Sequence, residues 1–217
     1  MSGSSERAGL PVSAPSDGNA AGDRAVAAQA SRVTALPQGT VVSVNLAAAK
    51  GMRKAPRSEI TLVAGHGVEG DGHAGPWHRQ VSLLARESIA TMRAKGLDVG
   101  PGDFAENVTT EGLAVAELPL GTRLRLGDCL VELTQIGKVC HDHCAIYRAA
   151  GDCVMPREGI FVRVLQGGPL RAGDEVVVET LGDGSVEGVP GGDGSVEDVP
   201  VGDGVPGEDG APPKAVE

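Results

Sequence analysis

Cys140, His141, Asp142, His143 and Cys144 place two thiols and two imidazoles within five residues, with Cys153 a short way on. Thiolate and imidazole are the usual ligands of structural zinc, so the cluster could close a zinc clasp. Such ligand pairs commonly recur after a longer loop, and here no second pair follows unless Cys153 joins. The same residues permit a second chemistry, a Cys140 thiolate made reactive by the neighbouring imidazoles or by Lys138. A free thiol, with a pKa of about 8.5, needs such help near neutral pH. Cys129 and Cys153 stand among apolar residues and read as buried and inert.

Two further stretches concentrate polar groups. Residues 65–75 read Gly-His-Gly-Val-Glu-Gly-Asp-Gly-His-Ala-Gly and are followed by Trp77, His78, Arg79 and Gln80. Glycine lets a backbone approach a ligand closely, while Asp71 and His73 add acceptors and acid/base groups. A surface loop whose Asp and His only satisfy turns has the same composition. No Gly-Lys-Ser/Thr follows the glycines, which excludes a nucleotide phosphate loop. Residues 102–112 bring together Glu106, Asn107 and Thr109. A carboxylate, an amide and a hydroxyl suit a polar heterocycle, and they equally suit a turn with capped ends.

These groups must be positioned by the elements around them. Runs rich in Val, Ile, Leu and Thr at 41–46, 60–63, 81–84, 123–126, 130–134, 160–165 and 175–180 are broken by Gly, Pro and Asp and read as strands. Residues 85–95 carry Ile89 and Met92 at helical spacing and stop at Gly96, and a short helix is expected over 144–150. Many short strands and few helices argue for a mainly β (α+β) chain folded as a β-barrel or closed sandwich, and against a doubly wound parallel sheet. With one Trp, one Tyr and two Phe, its core must be aliphatic.

The ends differ in character. Residues 1–36 are rich in Ser, Ala, Gly and Pro, and residues 181–217 are acidic and rich in Gly and Pro, so both read as disordered segments flanking one domain over 37–180. The tail repeats Gly-Asp-Gly-Ser-Val-Glu from Gly182 and again from Gly192, with Gly-Asp-Gly once more from Gly202. It lacks the nonapeptide period of calcium-binding β-helix repeats and reads as solvated. A net charge of −10 argues against nucleic acid or an anionic membrane as partner, yet leaves room for a local basic pocket. No run of about 18 apolar residues occurs. Clustered cysteines without a secretory signal fit the cytoplasm.

In their order along the chain these stretches resemble the MOSC family, named for the C-terminal domain of molybdenum cofactor sulfurase, and in particular its stand-alone bacterial members. The resemblance spans 39–178 and is carried by Gly-Asp-Gly-His-Ala-Gly at 70–75, Arg-Gln-Val-Ser-Leu-Leu at 79–84, the whole of 102–112, and Cys140. It implies a MOSC-type barrel and a pocket associated with the molybdenum cofactor, a pterin dithiolene bearing phosphate. It further implies that Cys140 carries sulfur as a persulfide or ligates molybdenum. Placed on the family motifs, Arg79 and Lys138 are candidates for the cofactor phosphate, and Glu106, Asn107 and Thr109 for the pterin edge, with Asp71, His73 and Gln80 completing the binding set.

The chain contains no pyridoxal-phosphate desulfurase domain, so sulfur would come from a separate donor such as a cysteine desulfurase and pass to a molybdoenzyme acceptor. Three readings follow: a cofactor-binding sulfur carrier or insertion factor, a molybdenum-dependent reductase of N-hydroxylated compounds, and a zinc-stabilised interaction domain using Cys140, His141, His143 and Cys144. The additional N-terminal β-domain of larger reducing relatives is absent, which disfavours the second.

Overall fold

A computed structural model of the chain describes residues 36–140 and 145–188. The expectations for 1–35, for His141 to Cys144, and for 189–217 therefore lie outside the described residues. In chain order the strands are β1 (Gln38–Leu46), β2 (Ala55–Arg57), β3 (Ile60–Val63), β4 (Gly67–Val68), β5 (Val81–Ala85), β6 (Val108–Glu111), β7 (Arg123–Leu126), β8 (Cys129–Ile136), β9 (Ile160–Gln166), β10 (Gly168–Leu170) and β11 (Glu175–Thr180). The helices are α1 (Arg86–Ala94), α2 (Ala145–Ala150) and α3 (Met155–Glu158), with a 3-10 turn at Val115–Glu117.

Seven strands close a barrel in the order β1-β11-β7-β8-β9-β5-β6, with β6 returning to β1. Closure leaves none of these strands with an open edge along the paired region. β1 is long enough to pair β11 through Gln38 to Thr40 and β6 through Thr40 to Val44, which is how it seals the ring. Among the described strands the one parallel pair is β5 with β6. A parallel pair needs a crossover connection, and α1 with the following loop supplies it on the outside of the barrel.

Alternation along the strands builds two cores. On β5, Val81, Leu83 and Ala85 point into the barrel with Ile160, Val162 and Val164 of β9 and Val131 and Leu133 of β8. The other face carries Leu84 and Phe161, covered by Ile89 and Met92 of α1, Ile146 of α2 and Met155 of α3. All five residues of β5 are buried because both of its faces are covered. The small sheet β10-β3-β4 adds Ile60, Leu62, Val68 and Leu170 to the barrel interior.

The expected strands are present, 60–63, 123–126 and 175–180 with the same limits and the others extended by one to three residues. The helix expected over 85–95 is α1, and α2 begins at Ala145. The stretch 102–112 differs from a turn with capped ends, because its second half is β6, hydrogen-bonded to β1 and β5 at once. Thr109 and Thr110 are fully buried there, and β-branched residues fill such a strand as readily as they form turns.

The start of the acidic tail is also ordered against the barrel. Gly182 N donates to Thr122 Oγ1 at 3.1 Å, Gly184 N to Leu120 O at 3.1 Å, and Arg163 Nη1 to Glu187 O at 2.9 Å. A backbone approach this close requires glycine, which composition alone does not distinguish from a solvated tail.

A basic cleft on the outer face of the barrel

A cleft of about 240 Å³ opens where the outer faces of β5 and β9 meet the helices and loops above them. The strands contribute Ser82 and Phe161, and α3 contributes Met155. The loop between β1 and β2 brings Lys50 and the loop before β5 brings His73, Trp77 and Arg79; the loop before β6 brings Phe104, Ala105 and Asn107; the segment after β8 brings Lys138 and Val139. Lys50, Arg79 and Lys138, with His73, line the cleft, and among the described residues no Asp or Glu lines it. In a chain of net charge −10 this is a local reversal of sign, suited to an anion.

Arg79 is held by aromatic rings. Its guanidinium carbon lies 4.7 Å from the Trp77 ring centroid and 5.8 Å from that of Phe161. Such contacts fix the plane of the guanidinium. Trp77 is itself anchored, Nε1 donating to His73 O at 3.0 Å.

Behind the cleft, Asp71 organises the wall. Its side chain is 1 % exposed and accepts from Lys54 Nζ through both oxygens, from His73 N at 2.9 Å, from Ala47 N at 3.3 Å and from Asn107 Nδ2 at 3.0 Å. His73 Nδ1 lies 3.5 Å from the same carboxylate. Burial raises the Asp71 carboxyl, but the hydrogen bonds from His73 and Lys54 outweigh it and hold the group well below the usual carboxylate range. Burial lowers the Lys54 ammonium from its ordinary value, and Asp71 opposes the fall. Asn107 completes the link to the barrel, its Oδ1 accepting from Ser82 Oγ at 3.0 Å and Ser82 N at 3.2 Å.

Glu106 and Thr109 lie deeper. Both are fully buried and neither lines the cleft. Glu106 accepts from Gly102 N at 2.6 Å, Thr109 Oγ1 at 2.9 Å and Phe104 N at 3.2 Å. Burial pushes its carboxyl above the ordinary value, against those donors. Its hydrogen bonds shape the loop that holds Phe104 and Ala105 in the cleft wall. Ala105 adopts φ 62°, a left-handed conformation uncommon for a residue with a side chain, so the loop is held by its surroundings. Gly102 has φ +86°, and a Cβ there would stand 2.0 Å from Lys54 O.

Of the residues singled out in the sequence, the fold therefore gathers His73, Arg79, Asn107 and Lys138 around one cleft and puts Asp71 directly behind them. Gln80 faces elsewhere, buried, accepting from Val164 N at 2.8 Å and tying β5 to β9. Cys140 follows Lys138 and Val139, is partly exposed, and does not itself line the cleft. Cys129 and Cys153 are buried, and burial pushes the Cys129 thiol up to about 11. Among the described residues no group of three or more His, Cys, Asp and Glu is gathered as a metal site, and three of the four zinc candidates, His141, His143 and Cys144, lie outside them.

Sequence reasoning missed Lys50, Trp77, Ser82, Phe104, Met155 and Phe161. Trp77 stands two residues before Arg79, and an aromatic ring so near a guanidinium is a pairing that residue chemistry suggests. Lys50 has no local motif and reaches the cleft only through the folding of its loop.

Residues 70–177 match the MOSC domain family. The fold is shared with solved structures of low sequence identity. The YuaD protein from Bacillus subtilis is 17 % identical, with a TM-score of 0.54 over 64 % of this chain and 94 % of that one. YiiM from Geobacillus stearothermophilus is 21 % identical, with a TM-score of 0.51 over 66 % and 76 %. No curated protein matches the sequence. The chain belongs to the MOSC domain family, whose members are associated with the molybdenum cofactor. β1 precedes the matched region yet closes the barrel, so the folded unit begins earlier than the match. Among the described residues no helix is long and apolar enough to cross a membrane.

Proposed function

We propose that the protein binds the phosphate-bearing end of the molybdenum cofactor in the basic cleft and carries sulfur on Cys140. The observation that carries this reading is the cleft lining, in which Lys50, Arg79, Lys138 and His73 meet with no carboxylate among the described lining residues. The donor set fits the group. Arg79, stacked on Trp77 and Phe161, and Lys138 would hold the phosphate. Asn107, with its amide fixed by Asp71 and Ser82, would present a polar wall to the pterin. At about 240 Å³ the cleft is smaller than the roughly 300–1,000 Å³ of pockets that enclose a whole ligand, so it covers one end and leaves the rest accessible. When bound, the cofactor supplies a sulfur-ligated molybdenum centre.

Partial exposure of Cys140 and its position two residues beyond Lys138 support exchange at this thiol. Its thiolate attacks the terminal sulfur of a donor persulfide, such as that of a cysteine desulfurase. The new S–S bond forms as the donor's S–S bond breaks, and the donor leaves as a thiolate, so no net oxidation occurs. An acceptor thiolate on a molybdoenzyme partner then takes the terminal sulfur by the same exchange. This chemistry belongs in the reducing cytoplasm.

The test is incubation of the full chain with a persulfide donor, followed by intact and peptide mass spectrometry. One added sulfur atom on Cys140, released by dithiothreitol and absent in Cys140→Ser with the fold retained, is the expected result. Sulfur on Cys129 or Cys153 instead, or none, contradicts it.

A further inference from the structure

The ordered start of the acidic tail lies in a groove built from Leu120, Gly121, Thr122 and Arg163. Its fit depends on glycine at two places. A Cβ on Gly182 would meet Leu120 O at 1.9 Å and Thr122 N at 2.5 Å, and Gly184 has φ +91°. Asp183 Oδ1 accepts from Ser185 N and Ser185 Oγ, which folds the turn between the two contacts with the barrel. Gly121 in turn has no room for a side chain, because a Cβ there would meet Ser185 O at 2.5 Å. Two backbone N–H groups of the tail donate into the groove, and Arg163 donates back to Glu187 O. The contacts thus read the pattern Gly-Asp-Gly-Ser with a following carbonyl two residues on, through backbone shape and not through long side chains.

That pattern is present a second time. Gly192, Asp193, Gly194, Ser195, Val196 and Glu197 repeat Gly182 to Glu187 without a change, ten residues later. Every feature the groove uses, both obligatory glycines, the Asp acceptor with its Ser donor, and the carbonyl of the terminal Glu, recurs at the same spacing. We infer that the groove is a binding site for the sequence Gly-Asp-Gly-Ser-Val-Glu and that residues 192–197 are its alternative occupant within the same chain. The first copy follows β11 after one residue, Leu181, so it holds the groove without an intervening loop. For the second copy to enter, the ten residues 182–191 must loop out, a closure whose entropic cost grows only slowly with length. The tail is then able to shift by one repeat while the groove stays filled.

Hydrogen–deuterium exchange on the full chain tests this. In the wild type, slow exchange is expected at 182–187. In Gly182→Ala/Gly184→Ala the first copy no longer fits, and protection is expected to move to 192–197, slowing exchange there by at least about tenfold relative to the wild type. Adding Gly192→Ala/Gly194→Ala should abolish that protection while β5 to β9 remain protected, which shows that the barrel is still folded. Absence of protection at 192–197 in the double variant, its persistence in the quadruple variant, or continued protection of 182–187 after the first pair of substitutions each overturns the inference.

Discussion

Lys54 Nζ donates to both carboxylate oxygens of Asp71, at 2.6 and 2.7 Å, and each side chain is 1 % exposed. The pair is removed from water on the inner side of the cleft wall, and through His73 and Asn107 it touches two residues of the lining. Burying two charges is costly, so the pair is held by the number of donors that converge on Asp71 and not by Coulomb attraction alone. Its structural consequence is that the cleft wall and the barrel share one polar network.

Asp71→Ala leaves Lys54 buried without its partner and frees the donors of His73, Ala47 and Asn107. A loss of about 3–5 kcal/mol is expected, measured by urea denaturation. Lys54→Met/Asp71→Leu, which removes both charges, is expected to recover part of it. The pH dependence follows from the depressed Asp71 value. The unfolded carboxyl titrates near 3.9, so the stabilisation is complete above that pH and is lost as pH falls through the lower folded value. The wild type is therefore expected to lose stability more steeply than the double variant as acid is added below about pH 4.

The cysteines should differ in reactivity. With its thiol raised to about 11, Cys129 holds very little thiolate at pH 8, while Cys140 is partly exposed. Iodoacetamide at pH 8, followed by peptide mapping, should label Cys140 at least about tenfold faster than Cys129 in the folded protein, and the difference should vanish in urea.

Gly102→Ala forces a side chain into the left-handed region and against Lys54 O. The loop carrying Phe104, Ala105 and Glu106 must then shift. A loss of at least about 2 kcal/mol by urea denaturation is expected, whereas Gly→Ala at an unstrained position stabilises by restricting the unfolded chain.

Arg79→Lys keeps the charge but loses the planar stack on Trp77 and Phe161. Inorganic phosphate or a phosphorylated pterin, titrated by calorimetry, is expected to bind about tenfold more weakly, with little change in urea midpoint.

Much of the barrel was legible because its strands are short aliphatic runs between Gly, Pro and Asp, a pattern set by the chain itself. β6 was not, since Val108 to Glu111 follows two polar residues and owes its strand conformation to pairing with β1 and β5 on either side. The same applies to the site. Arg79, His73, Asn107 and Lys138 could be named from residue chemistry and family motifs, and the fold brings them to one cleft. Glu106 and Thr109 carry equally suitable groups, yet their hydrogen bonds are spent on Gly102, Phe104 and each other. Local sequence does not reveal whether a polar side chain faces a ligand or its own backbone. Lys50 and Lys54 drew no notice because their roles depend on where a loop without a motif comes to rest. The glycines of the tail are a third case: their count suggested disorder, whereas at Gly182 the absent side chain is what permits contact with Leu120 and Thr122.

Binding of the molybdenum cofactor by its phosphate makes the cofactor's retention depend on Arg79 and Lys138. Native mass spectrometry with molybdenum analysis, on full-length protein purified from a host competent in cofactor synthesis, tests it most directly when the wild type is compared with Arg79→Ala/Lys138→Ala. A cofactor-sized adduct and bound molybdenum are expected in the wild type, both reduced at least about tenfold in the folded double variant. A wild type that carries neither, or a double variant that retains both in full, would contradict it.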